Sequence, residues 1–225
     1  MRIVLCLLIF LIHGSFQVQA ANAMPTEKKD RLLLITGCAR SGTLFTAYFF
    51  NLSGLPVEHE REGEMGTVSW TMAVDDTTTP WGPGSLGYNF KHIFHQVRDP
   101  LKTISACVSE PKSSWRFICK HIGEITMQDS PVVKSAKYWY YWNLEAEKKA
   151  EFRYRIEDIE NVLNEMSHRL GIPLSLDVLV RIPRDTNHKP RKITYTWSDL
   201  KIMLDSALYE NIVDMAKRYG YDVEE

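Results

Sequence analysis

The stretch LLLITGCARSGTLFTAYFF, Leu32 to Phe50, joins two apolar runs through a turn of small residues. The first run, RLLLIT (31–36), is unbroken and of strand length, which suits a strand covered on both faces. The second, Thr43 to Leu52, has the length of a helix and is closed by Gly54 and Pro56. Between them, Gly37-Cys38-Ala39-Arg40-Ser41-Gly42-Thr43 keeps the glycine pair of a phosphate-binding turn, a P-loop. In such a turn the backbone N–H groups converge on an anion, and the helix N-terminus adds favourable partial charge. A lysine follows the second glycine where the anion is a nucleoside triphosphate. Here that residue is Thr43, and Arg40, two residues before Gly42, is the nearby cation. No acid suited to Mg²⁺ follows the next strand in the manner of a nucleotide hydrolase. The anion expected is therefore not a nucleoside triphosphate.

Outward from the turn, strands alternate with helices. TVSWTMAV (67–74) is a short ordered piece and DDTTTPWGPGS (75–85) is loop by composition. HIFHQV (92–97) is the next strand, and Asp99-Pro100 starts a helix with proline in its first turn. Helical pattern returns around 114–124 and from Pro131 to Ala150; FRYRI (152–156) alternates like a strand. A helix closed by Gly171 and a last helix from Ser198 to Tyr219 complete the chain. The expected class is α/β: a P-loop-type, three-layer α/β/α domain over 31–225 with a mainly parallel central sheet.

The 225 residues are 44% apolar and 24% charged with a net charge of −1, which suits one globular domain and argues against bulk nucleic-acid binding. Arg2, the apolar run IVLCLLIFLI and the small residues of VQAANA have the three parts of a secretory signal peptide over 1–20, cut after Ala20 or Ala23. The run is short for a membrane span, so a stable span is expected only if the leader stays on as an anchor. The address implied is the lumen of the secretory pathway, or secretion. Cys38, Cys107 and Cys119 remain; Cys107 and Cys119 could pair or could be buried thiols.

GCARSGT resembles the 5′-phosphosulfate loop of the sulfotransferases that use 3′-phosphoadenosine 5′-phosphosulfate (PAPS) without a metal. FHQVRDPLKTISA (94–106) resembles the 3′-phosphate motif of the same family: a strand, Arg-Asp-Pro, and a helix bearing a serine. YWYYWNLEAE with FRYRIEDI, and TNHKPRKITYTW (186–197), resemble later parts of bacterial-type and carbohydrate sulfotransferases, the last being the loop over the adenosine end of the donor. The resemblance implies donor contacts from Gly37, Cys38, Ala39, Arg40, Ser41, Gly42 and Thr43 at the phosphosulfate. It implies Arg98 with Ser105 at the 3′-phosphate, and Lys189 and Arg191 over the adenosine. The family's serine lies eight residues past the arginine, where this chain has Ala106, with Ser105 one position away.

Arg40 is the expected catalytic cation, placed where charge grows on the leaving phosphate. A base should take the acceptor's proton. VEHERE (57–62) supplies Glu60 first and His59 second; if VEHE is extended, Glu58 and Glu60 share one face and His59 takes the other. The acceptor is a hydroxyl or amine; the lumenal address suits a glycan or a secreted protein, and a glycan is favoured. The Tyr and Trp residues between 115 and 142 could line a sugar-binding face or form core. Two other readings stay open: an inactive member of the family that binds anionic glycans, and an atypical P-loop kinase.

Overall fold

A computed structural model of the chain describes residues 27–183 and 193–224. The leader with Ala20 and Ala23, and the loop residues Lys189 and Arg191, lie outside the described residues. Among the described residues, no helix is long and apolar enough to cross a membrane.

The fold is α/β. Strand β1 (Lys29–Gly37) leads through the glycine turn into α1 (Thr43–Leu52), then β2 (Val57–His59) and β3 (Gly66–Val68). A 3-10 turn (Trp70–Ala73) and a small antiparallel hairpin, β4 (Thr78–Thr79) with β5 (Gly82–Pro83), precede the long strand β6 (Tyr88–Val97). Then come α2 (Pro100–Cys107), α3 (Lys112–His121), α4 (Pro131–Lys149), β7 (Phe152–Arg155), α5 (Ile159–Leu170), α6 (Trp197–Met203) and α7 (Ser206–Arg218).

The central sheet has the order β2-β3-β1-β6-β7, and every pairing in it is parallel. β1 shows why the sequence run was continuous. Leu33 and Ile35 pack on one face with Phe49 and Phe50 of α1 and Leu163 and Met166 of α5, while Leu34 packs on the other against Met72 and Tyr88. The second face carries the aromatic layer: Trp115 and Phe117 of α3, Tyr138, Trp139 and Trp142 of α4, and Ile212 and Met215 of α7. These aromatics are core, not a sugar-lining wall, because each is less than a tenth exposed.

Two sequence expectations are corrected. The last helix is two, because Leu204 and Asp205 leave the helical conformation and Asp205 caps α7 through the Leu208 N–H. The segment after α1 does not stay extended through Glu60, which adopts a left-handed backbone (φ 58°) directly after β2. That turn begins the short link, 60–65, by which β2 and β3 run parallel as neighbours, a connection that ordinarily takes a dozen residues or more. It is possible only because each strand is three residues long.

Candidate active site

β1 is the middle strand, and the chain moves to one side of it for β3 and to the other for β6. The carboxyl end of β1 is therefore the point at which strand order reverses, where parallel sheets open a crevice for ligands. The glycine turn sits at that point. Gly37 has no room for a side chain: a Cβ there would lie 2.1 Å from the Gln96 carbonyl oxygen. Gly42 caps α1 in a left-handed conformation (φ 95°), and Arg40 is left-handed too (φ 66°).

Buried groups hold this turn from below. The Gln96 side chain donates from Nε2 to the Ser41 carbonyl at 2.7 Å, while its Oε1 accepts from the hydroxyls of Thr46 and Tyr154, both at 2.6 Å. The Tyr138 hydroxyl accepts the Ala39 N–H at 2.7 Å, and the Ser41 hydroxyl donates to the Cys38 carbonyl at 2.7 Å. Arg98, from the end of β6, donates from Nη1 to the Arg40 carbonyl at 2.8 Å. The Ala39 amide is therefore committed to Tyr138, and the Ser41 amide to the Cys38 carbonyl at 3.3 Å. The Ser41 hydroxyl, expected on the anion, serves the turn itself.

The opposite wall is acidic. The left-handed backbone at Glu60 brings its carboxyl round to within 3.6 Å of the His59 ring instead of placing the two on opposite faces. The His59 Nε2 lies 3.1 Å from the Thr43 hydroxyl, so β2 is joined to the first residue of α1. Burial pushes the Glu60 carboxyl up to about 8; the charge of Glu110 adds to the rise, and the Trp70 N–H, donating to it, opposes it. Glu60 Oε2 is buried without a hydrogen-bond partner. Burial holds His59 down at about 4, so its ring is neutral at pH 7. Glu110, between α2 and α3, also faces Arg40 at 3.7 Å. Arg40, Glu60, Glu110, His59 and Thr43 thus form one cluster over the turn.

The remaining expected ligands fall as follows. Ser105 is buried on α2 and its hydroxyl accepts the Tyr195 N–H at 3.0 Å, anchoring the segment that returns to α6. Ala106 is buried beside it. His95 is a core residue bonded to Asn143 at 3.0 Å, and His92 pairs with Glu151 at 2.7 Å. Cys38, Cys107 and Cys119 are free thiols; burial raises Cys38 and Cys107 well above the ordinary range, and the Cys107 thiol donates to the Ala39 carbonyl at 3.6 Å.

No protein-family model matches the sequence, and no curated protein matches it. Two solved sulfotransferase structures resemble the chain in outline. The sulfotransferase domain from the curacin biosynthetic pathway aligns over 88% of this chain and 100% of its own, with 12% identity and a TM-score of 0.49. Mouse sulfotransferase SULT7A1, complexed with PAP, aligns over 80% of this chain and 69% of its own, with 13% identity and a TM-score of 0.38. These are similarities of chain path at low identity, and the chemistry of the site rests on its own geometry. Among the described residues, no group of three or more His, Cys, Asp or Glu could hold a metal ion.

Sequence reading missed Gln96, Glu110 and Tyr138. Gln96 left a signal, a polar residue inside the apolar strand run HIFHQV. Glu110 and Tyr138 left none, since each acts on a turn about 70 or more residues away.

Proposed function

We propose that the chain is a sulfotransferase that moves a sulfuryl group from PAPS to a hydroxyl or amine of an acceptor, a glycan or secreted protein in the secretory lumen. One observation carries this reading. The glycine turn at the strand-order reversal joins an arginine, in place of the P-loop lysine, to a buried carboxyl that has an unpartnered oxygen. The turn fits the end of an anion, because the missing Cβ at Gly37 lets the backbone close up on β6, and the N–H groups of a glycine turn at a helix N-terminus favour negative charge. When bound, the donor supplies the sulfuryl group and a phosphate leaving group.

The chain's own residues do the rest. The amides of Arg40, Gly42 and Thr43 hold the phosphosulfate end, and the Arg40 guanidinium leaves its long contact with Glu110 to meet charge growing on the leaving oxygen. Arg98, already at the turn, holds the 3′-phosphate as a fork-shaped donor. Glu60, once it has given its own proton to solvent, takes the acceptor's proton, so its reactive fraction grows as pH rises toward 8. Its position near 8 makes it a far better base than His59 near 4, which positions Thr43.

Calorimetry with 3′-phosphoadenosine 5′-phosphate, and separately with ATP and Mg²⁺, tests the donor. Tight, metal-independent binding of the first alone is expected, with Arg98→Ala weakening it far more than it weakens adenosine 5′-phosphate. Binding of ATP with metal alone would move the chain to the kinase reading. The commitment of the Ser105 hydroxyl to Tyr195, with Ala106 beside it, favours a second reading, an inactive family member that binds anionic glycans. Binding of neither nucleotide would select it.

A further inference from the structure

Five of the chain's six tryptophans are 5% exposed or less; Trp81 is the exception at 43%. It stands at the tip of the β4–β5 hairpin, in a segment composed as a loop. Isolated exposed apolar side chains are ordinary, and exposure alone says nothing. What sets Trp81 apart is how firmly it is presented and what lies behind it.

The hairpin is braced along its length. One oxygen of Asp76 accepts the N–H groups of Thr77 and Thr78 at 2.7 and 3.3 Å, and the other meets Lys120 at 2.5 Å and His121 at 3.0 Å. The Gly84 N–H donates to the Thr77 carbonyl at 2.9 Å, and the Ser85 hydroxyl to the Val74 carbonyl at 2.9 Å. At the tip, the Thr79 hydroxyl donates to the Gly82 carbonyl and accepts the Trp81 N–H, each at 3.2 Å. The local acids are all spoken for, since Asp75 is paired with Lys149 at 2.5 Å. The result is an arm whose acids are paired and whose tip carries a half-exposed indole.

Behind that indole is the site. The Trp81 ring meets the Trp70 ring at 5.5 Å and 65°. Trp70 is itself fixed, its carbonyl accepting the Trp142 indole N–H at 2.8 Å, and its ring packed on Phe117 and Tyr138. The Glu60 N–H donates to the Val68 carbonyl at 3.1 Å, two residues before Trp70. The short stretch from Val68 to Trp70 thus lies between the candidate base and the exposed indole.

We propose that Trp81 is an acceptor subsite that stacks a neutral pyranose ring of an oligosaccharide whose neighbouring hydroxyl reaches Glu60; this rests on the sulfotransferase reading. An indole face takes the C–H face of a sugar, and the sugar's hydroxyl rim stays in water. An open platform suits one unit of a longer chain, whereas a small apolar acceptor asks for a cleft that encloses most of it. A rigid aromatic gives contact area at low ordering cost.

The test is ¹⁹F NMR of the full chain labelled with 5-fluorotryptophan, the Trp81 resonance being assigned with Trp81→Phe. Chitotetraose, cellotetraose and an acidic tyrosyl peptide are titrated in turn, and 3′-phosphoadenosine 5′-phosphate binding is measured separately by calorimetry. A saccharide is expected to move the Trp81 resonance. Trp81→Ala should weaken that saccharide at least tenfold, Trp81→Phe less, with nucleotide affinity unchanged in both. No Trp81 response to either saccharide, equal saccharide affinity in Trp81→Ala, or a response to the peptide alone would overturn the subsite. Loss of nucleotide binding in the wild-type chain would instead overturn the donor reading, and the saccharide titration would still decide Trp81.

Discussion

The two walls of the glycine turn are built on opposite plans. On the β6 side, Gln96 spends its side chain on the Ser41 carbonyl, Thr46 and Tyr154, and Arg98 gives one N–H, from Nη1, to the Arg40 carbonyl. On the β2 side, Glu60 keeps a buried oxygen without a partner, holds a proton well above the ordinary carboxyl range, and sits on a left-handed backbone. A satisfied network fixes position; an unsatisfied, shifted carboxyl is where proton chemistry is available. Under the proposed function, placement falls to one wall and reaction to the other.

The sharpest way to break this contrast is at the residue between the walls. Arg40→Ala should cut turnover by about 10³-fold while leaving the thermal midpoint close to wild type; a near-normal rate would end its role. Glu60→Gln, on the reactive wall, should cost about 10²-fold in turnover. It should also change stability in a pH-dependent way. The folded chain keeps a proton that the unfolded chain sheds between 4.5 and about 8, so wild-type stability falls across that window and levels off above it. The Gln variant should therefore gain on wild type from pH 5 to pH 9 in thermal melts. A constant difference would show that Glu60 is an ordinary carboxylate.

On the placing wall, Gln96→Leu should read out as stability first. It strands the hydroxyls of Thr46 and Tyr154 and the Ser41 carbonyl, at about 3 kcal/mol or more, measurable by denaturant melts. Activity lost at unchanged stability would put Gln96 on the wrong wall. The smallest effect is expected from Glu110→Gln. Removing that charge should let Glu60 lose its proton more readily, shifting the rising limb of the rate profile to lower pH. An unmoved limb would separate Glu110 from the base.

The same contrast governs what the sequence could disclose. β1, α1 from Thr43 to Leu52 and α2 from Pro100 follow from apolar runs, glycine spacing and proline in the first turn, all of which act within a few residues. The turn and Arg40 were readable for the same reason. Glu60 and His59 were readable as residues but not as a geometry, because the left-handed link between β2 and β3 is set by strand pairing. The split of the last helix turns on the local cap at Asp205, which an unbroken helical pattern conceals. Glu110, Tyr138 and the Trp70–Trp81 contact are products of packing between distant segments, and no local pattern encodes them.

The bond from the Ala39 amide to the buried Tyr138 hydroxyl ties the turn to α4, the longest helix among the described residues. Ligand loops are usually drawn from the parts of a protein that open most readily. This one is moored to the core, so the Ala39 amide hydrogen should exchange with solvent only when the domain opens as a whole. An anion arriving at such a turn has little chain to order, and its binding should carry a correspondingly small loss of conformational entropy.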